Sequence, residues 1–135
     1  MVLGPNLVKS QFSSGDLVKM LMVSCSPGMP HVSVPFVDVR DVAQAHLQAI
    51  LVPEAKGQRF ILWSCSIFLA DLGKIIAIKY GRDYRVTTNT LPKWLCWGLS
   101  KFNKEIATMY PMWGVEQTFD TSATKKVLGI TFIQP

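Results

Sequence analysis

The residues of this chain that could exchange a proton include three tyrosines, Tyr80, Tyr84 and Tyr110. A lysine one helical turn after a tyrosine lowers the pKa of the phenol, so that a Tyr-x-x-x-Lys pair can work as an acid near neutral pH. The positions four residues later hold Tyr84, Thr88 and Gly114. The sequence therefore contains no such pair.

A second candidate for chemistry is the charged group Asp38, Arg40 and Asp41. It follows a β-branched segment and precedes a helical pattern, so it marks a strand-to-helix junction. Charged side chains at such a junction are typical of capping and ion pairing, and we expect Asp41 to cap the helix and Arg40 to form a salt bridge. We assign no catalytic residue to this chain.

Metal and disulfide chemistry are disfavoured by the spacing of the cysteines and histidines. Cys25, Cys65 and Cys96 are odd in number and form no C-x-x-C pair. His31 and His46 lack a second histidine or an acidic residue at metal-binding spacing. The sequence therefore predicts no metal site.

A nucleotide-binding loop is also missing from the pattern. Dinucleotide-binding turns need glycines two or three residues apart, because the backbone must approach the pyrophosphate closely. The two closest glycines here, Gly73 and Gly81, are eight residues apart. The sequence therefore contains neither a Rossmann fingerprint nor a P-loop motif.

The length and composition indicate one apolar domain with no nucleic-acid partner. The chain has 135 residues, of which 49% are hydrophobic and 17% charged, with a net charge of +5. Its basic residues are scattered, and the tightest group, Lys79, Arg82 and Arg85, has no stacking aromatic pair or glycine cradle. Such an apolar chain is expected to leave some surface for a partner.

No membrane span or secretory signal is predicted. The longest nearly apolar run, residues 60–70, is far shorter than the ~20 residues that cross a bilayer. The amino terminus lacks a cationic flank before an apolar core. We expect a cytoplasmic protein with reduced cysteines.

The elements expected to hold these residues alternate between strands and helices. Segments with strand character are residues 2–3, 32–39, 59–63 and 117–120. Helical spacing and cap signals favour helices from Ser13 to Cys25, Asp41 to Ile50, Ser66 to Lys79, Leu91 to Met109, and Thr121 or Ser122 to Gly129. This order is typical of βαβ architecture.

Several of these segments together resemble the extended short-chain dehydrogenase/reductases, the group of dihydroflavonol and cinnamoyl-CoA reductases. The segments are Met-Val-Leu-Gly-Pro at residues 1–5, Phe-Val-Asp-Val-Arg-Asp-Val-Ala-Gln-Ala-His at 36–46, Gly-Gln-Arg-Phe-Ile-Leu at 57–62, Phe-Asp-Thr-Ser at 119–122, and Val-Leu-Gly-Ile at 127–130. The resemblance implies an α/β fold, the carboxy-terminal portion of a Rossmann-type reductase. It predicts a partial parallel sheet and a small helical substrate-binding region.

The same resemblance implies a role for residues 1–135 and identifies the part of the enzyme that they lack. They would form a single incomplete domain without the amino-terminal nucleotide-binding half. Met1 and Val2 fall where the family contacts the nicotinamide, and Ser14 falls where it contacts cofactor phosphates; a strand end and a helix cap are the alternative roles. NADP or NAD is implied for the complete enzyme, with no tight binding to this chain alone. The implied substrate is a small hydrophobic aldehyde or ketone, walled by residues 5–15, 30–35 and the helix that carries Trp94.

Two other functions fit the sequence. The chain could be a non-enzymatic interaction module that binds a protein partner or its own copy through an apolar face including Trp94 and Phe102. The basic amphipathic pattern of residues 91–109 is also compatible with a peripheral membrane helix, but packing against protein is the better interpretation.

Overall fold

The computed structural model describes residues 1–5, 13–23 and 28–133. Within these residues the strands are β1 (Val2–Leu3), β2 (Ser33–Asp38) and β3 (Cys65–Phe68). The helices are α1 (Ser13–Val23), α2 (Val39–Leu51), α3 (Leu69–Tyr80), α4 (Lys93–Ser100), α5 (Lys104–Met109) and α6 (Ser122–Leu128). Short 3₁₀ turns occupy Pro53–Ala55 and Tyr110–Met112. The predicted α/β class is confirmed.

The three strands form one sheet in the order β1-β2-β3. β1 runs parallel to β2, with Val2 opposite Val37 and Leu3 opposite Asp38. The β2–β3 pair is antiparallel, because Ser64 N donates to Phe36 O at 2.9 Å whereas Leu69 N, further along, donates to the earlier Val32 O at 3.1 Å. The sheet is therefore mixed, and its parallel part is the first pair.

The strand expected at residues 59–63 is absent, and that prediction was wrong. Phe60 and Leu62 do pack against a hydrophobic core while Ile61 is exposed, as in a strand. However, Ile61 O accepts a hydrogen bond from the Thr124 side chain at 2.7 Å instead of a ladder partner. The alternating pattern therefore reflects burial of one side of the segment. The residues that join the sheet as a strand are those of β3, Cys65–Phe68.

Helix α2 begins three residues earlier than predicted, with a different cap. The Asp38 side chain accepts from Arg40 N at 2.8 Å, so Asp38 is the N-cap. Asp41 lies in the first turn and is 2% exposed, and its Oδ2 accepts from Ile133 N at 2.8 Å. The proposed capping role of Asp41 was wrong because the strand ends at Asp38.

Helix α3 starts at Leu69 without a side-chain cap. The predicted cap, Ser66, lies in β3, and its Oγ accepts from Trp63 Nε1 at 3.0 Å. A Cβ atom at Gly73 would lie 2.1 Å from Thr87 O, so glycine permits the close approach of this backbone to α3.

The helix predicted over residues 91–109 is two helices, α4 and α5. Lys101–Asn103 form a turn in which Asn103 N donates to Leu99 O at 2.9 Å. Asn103 Oδ1 then accepts from Ile106 N at 3.4 Å, a capping contact for α5. An asparagine that starts a new helix explains why one amphipathic pattern became two elements.

The last helix, α6, ends as predicted at Gly129, which has φ 63° and is left-handed. Thr121 is the N-cap by position but makes no side-chain cap bond. Asp120 Oδ1 instead accepts from Ser122 N at 2.8 Å. Residues 117–120 form no strand, so that prediction was wrong.

The chain divides into two compact units, each with its own core. Unit 1 contains described residues 1–5, 35–66 and 118–133, and unit 2 contains 13–23, 28–34 and 67–117. The core of unit 1 consists of Val37, Ala45, Ala55, Leu128, Ile130 and Phe132. In unit 2 the most buried side chains include Leu21, Leu69 and Cys96, each 0% exposed.

Candidate functional site

The edge strand β1 holds two of the predicted cofactor contacts. Met1 O accepts from Val37 N at 3.0 Å, which fixes the backbone at the start of the strand. Val2 is paired with Val37 and its side chain is 40% exposed. At β1, a ligand could therefore contact backbone atoms and the aliphatic side chain of Val2.

The turn after β1 is shaped by Gly4, which has φ 151°. A Cβ atom at this position would lie 2.5 Å from Val39 Cγ1. Glycine is needed here because the chain leaves β1 against the first residue of α2. The close approach therefore serves internal packing between this turn and α2.

Ser14 lies in the first turn of α1, in unit 2, and is partly exposed. Met1 and Val2 lie together in unit 1, whereas Ser14 is part of the other compact unit. Its hydroxyl is one hydrogen-bonding group at the start of an eleven-residue helix. Residues 6–12, part of a predicted substrate wall, lie outside the described residues.

The charged junction is built as a structural element. Arg40 Nε donates to Asp38 Oδ1 at 2.9 Å and Arg40 Nη2 to Asp38 Oδ2 at 2.7 Å, a two-point contact. These side-chain hydrogen bonds, with the Arg40 backbone N–H, lower the pKa of Asp38 to about 2. The expected salt bridge of Arg40 is therefore present, with Asp38. A carboxylate held ionised in this way is a poor proton donor at neutral pH.

An aromatic cluster in unit 2 was not found from the sequence. The His31 ring stacks on Phe68 with centroids 4.3 Å apart and planes 5° from parallel. Trp113 meets His31 edge-on at 6.0 Å, and Gly114 N donates to His31 O at 2.8 Å. These residues come from three distant segments, so no local pattern indicated that they meet. All three rings are partly exposed, and of the three only His31 lies in a segment predicted to wall a substrate, residues 30–35.

The cysteines and the potential metal ligands are the remaining candidates for chemistry among the described residues. Burial raises the pKa of the Cys65 and Cys96 thiols, so neither is poised as a nucleophile. Residues 1–5, 13–23 and 28–133 contain no group of His, Cys, Asp and Glu side chains able to hold a metal ion. Within the same ranges, none of the helices combines the length and apolar character that crossing a bilayer requires.

Comparison with solved structures identifies the fold. The yeast methylglyoxal/isovaleraldehyde reductase Gre2, solved with NADPH, matches 98% of this chain at a TM-score of 0.66 and 24% identity. Gre2 from Candida albicans, also solved with NADPH, matches 98% at a TM-score of 0.64 and 23% identity. The protein gox2253 matches 97% at 0.67 and 23%. The chain therefore has the fold of a part of these proteins.

The likeness to this reductase fold covers only part of those proteins. The chain spans 39% of the yeast protein, 37% of the Candida protein and 42% of gox2253. No family model and no curated protein matches the sequence. At these identities the comparison establishes a shared architecture, and activity is a separate question.

The predicted cofactor contacts among the described residues offer few polar groups to a dinucleotide. A phosphate grip needs converging backbone N–H groups or cations, whereas Val2 has an aliphatic side chain and Ser14 a single hydroxyl. Gly4, which could have marked a cradle, is closed by Val39.

Proposed function

We propose that this chain is the substrate-side portion of an NAD(P)-dependent reductase of aldehydes or ketones. The observation that carries the proposal is the match of 98% of the chain to the yeast methylglyoxal/isovaleraldehyde reductase at a TM-score of 0.66. Because the match spans only 39% of that protein, the proton donor and the nucleotide grip are assigned to polypeptide outside this chain. The chain, a single incomplete domain, would be inactive alone, and the complete enzyme would work in the cytoplasm.

The role proposed for this portion is to bind and orient the carbonyl compound. The partly exposed rings of His31, Phe68 and Trp113 would supply an aromatic wall, and aromatic side chains are common in small-molecule sites. Met1 and Val2 are proposed as backbone contacts near the nicotinamide, and Ser14 as a hydroxyl near the phosphates. The aromatic wall favours a hydrophobic substrate.

A chimera tests this role. The part of the yeast reductase that this chain does not cover is joined to residues 1–135, and NADPH oxidation is followed with isovaleraldehyde. Phe68→Ala removes half of the stacked pair and should raise KM about tenfold with little change in kcat. Ile78→Ala is the matched control, since Ile78 lies on α3, is 88% exposed and belongs to no segment assigned to the substrate, so its loss should leave KM unchanged. Equal KM values for both variants would remove the aromatic wall from the proposal.

A second candidate function, a protein-interaction module, is favoured by the exposed aromatic residues of α4 and the turn that follows it. Trp94 is 73% exposed, Trp97 55% and Phe102 92%. Large apolar side chains grouped on a surface often mark a binding site. In the reductase proposal the same residues would be covered by the missing polypeptide or would line the substrate region.

The two functions are separated by NADPH titration and sedimentation. The module would form a defined oligomer or stable complex that Trp94→Ser and Phe102→Ser disrupt, and the chimera would show no turnover. The reductase portion would yield an active chimera. Tight NADPH binding by the isolated chain would contradict the claim that its nucleotide grip lies elsewhere.

A further inference from the structure

Unit 1 contains a cleft that the reductase proposal does not use. Its volume is about 360 Å³, within the range of about 300–1,000 Å³ typical of small-molecule sites. Three segments line it: residues 63–64, the start of α6, and the chain that follows α6. The lining residues are Trp63, Ser64, Thr121, Lys125, Gly129, Ile130, Thr131 and Phe132.

The walls of the cleft are tied together by hydrogen bonds between distant positions. Thr124 Oγ1 donates to Ile61 O at 2.7 Å, which joins α6 to the segment that leads to Trp63. The Ser64 hydroxyl donates to Ile133 O, which joins that segment to the chain after α6. Ile133 N in turn donates to the buried Asp41 at 2.8 Å. A cleft held in this way is pre-organised, which lowers the entropic cost of binding a ligand.

The polar groups in the cleft favour an anion. Lys125 forms no salt bridge with any residue that the structure describes, and the described lining residues include no carboxylate. Thr121, the N-cap residue of α6, makes no side-chain cap hydrogen bond to the helix and lines the cleft. A lysine ammonium and a threonine hydroxyl in one cleft can pair with, and donate a hydrogen bond to, the same anionic group.

The apolar side of the cleft favours a ring. Trp63 Nε1 donates to Ser66 Oγ at 3.0 Å, and Phe119 packs against the Trp63 indole with centroids 6.1 Å apart. These contacts fix the orientation of the indole beside Ile130 and Phe132, which also line the cleft. A fixed indole offers a flat surface on which an aromatic ligand can stack.

We propose that this cleft binds a small organic anion that carries an aromatic ring. The anionic group would pair with Lys125 and accept a hydrogen bond from Thr121, while the ring would contact Trp63. The proposal is independent of the reductase proposal, because it uses no residue assigned to cofactor or carbonyl binding and needs only unit 1.

Calorimetric titration of the 135-residue chain with benzoate tests the proposal. Lys125→Ala should weaken benzoate binding about three- to tenfold, as expected for one partly exposed charge-assisted contact. Lys126→Ala is the matched control, since Lys126 is an exposed neighbour on α6 that does not line the cleft. It should leave the affinity within twofold of the parent value. The same loss in both variants would show a non-specific charge effect and overturn the proposal.

Two further arms address the hydroxyl and the ring. Thr121→Val keeps the volume of the buried side chain and should weaken benzoate binding about threefold or more, with amide NMR shifts confined to the cleft. Benzamide, which lacks the charge, and cyclohexanecarboxylate, which lacks the aromatic ring, should both bind more weakly than benzoate. Inorganic phosphate binding as tightly as benzoate would overturn the aromatic part of the proposal. No benzoate binding in a folded chain would overturn all of it.

Discussion

The buried carboxylate of Asp41 accepts a hydrogen bond from the backbone N–H of Ile133 at 2.8 Å, between positions 92 residues apart. Asp41 is 2% exposed and lies in the first turn of α2. This contact anchors the end of the described chain to α2, the helix that contains most of the 36–46 segment. It gives Asp41 a structural role, where the sequence suggested a helix cap.

Removal of this contact should be costly. Asp41→Ala leaves Ile133 N without its acceptor and should lower the free energy of unfolding by about 1.5–3 kcal/mol, the range for hydrogen bonds to charged groups. Urea denaturation gives the value. Asp71→Ala is the control, because its ion pair with Lys74 is exposed and worth at most about 1 kcal/mol. Equal losses in the two variants would contradict the anchoring role.

Two glycine substitutions in helices should have opposite effects. Gly73→Ala places a Cβ atom 2.1 Å from Thr87 O and should destabilise the protein by about 1–3 kcal/mol through overpacking. Gly98→Ala meets nothing within 4 Å and should stabilise α4 by about 0.5–1 kcal/mol through helix propensity. Thermal melts of the pair check the prediction. A stabilising Gly73→Ala would mean that α3 does not approach residue 87 as described.

Two buried hydroxyls should respond differently to removal. The Ser33 hydroxyl has no partner among the described residues, so Ser33→Ala should be neutral or stabilise by up to about 1 kcal/mol. Thr124 donates to Ile61 O, so Thr124→Val should cost about 1–3 kcal/mol. Denaturant midpoints compare the two. A clear loss of stability in Ser33→Ala would show that the hydroxyl is satisfied in solution.

The pKa of Asp38 should depend on the Arg40 side chain. Hydrogen bonds from Arg40 lower this pKa from 3.8 to about 2. The folded-state pKa is depressed, so the stability that it contributes is present above pH ~4 and is lost as the pH falls through about 2. Arg40→Leu should raise the Asp38 pKa toward 3.8 while the backbone N–H at position 40 keeps it somewhat lower.

Carboxylate NMR titration measures this shift. Asp120 serves as an internal control, because its lowered pKa arises from Ser122 and should not respond to Arg40→Leu. An Asp38 pKa that is unchanged in Arg40→Leu would contradict the two-point contact.

Elements with local signals were predictable, and elements that depend on tertiary partners were not. α6 carried its own stop signal, because Gly129 tolerates a left-handed φ of 63°. Residues 59–63 show the alternating burial of a strand, but hydrogen-bonding partners decide whether a ladder forms, and these lie far away in the sequence. The break between α4 and α5 was hidden because Asn103 interrupts a continuous amphipathic pattern.

For the candidate sites too, contacts between distant segments could not be predicted from the sequence. Met1, Val2 and Ser14 came from resemblance to a family, and their roles stay predictions. The stacking of His31 on Phe68 and the cleft at Lys125 could not be predicted, because each joins side chains from separate segments. No periodicity within one element encodes such a meeting.

The central claim, that this chain supplies the substrate side of a reductase, is tested most directly by one rate. The rate is that of isovaleraldehyde-dependent NADPH oxidation by the chimera with the yeast protein, compared with each portion alone. The account predicts turnover by the chimera and none by residues 1–135. A folded chimera that binds NADPH but shows no aldehyde-dependent oxidation, or turnover by the isolated chain, would contradict it.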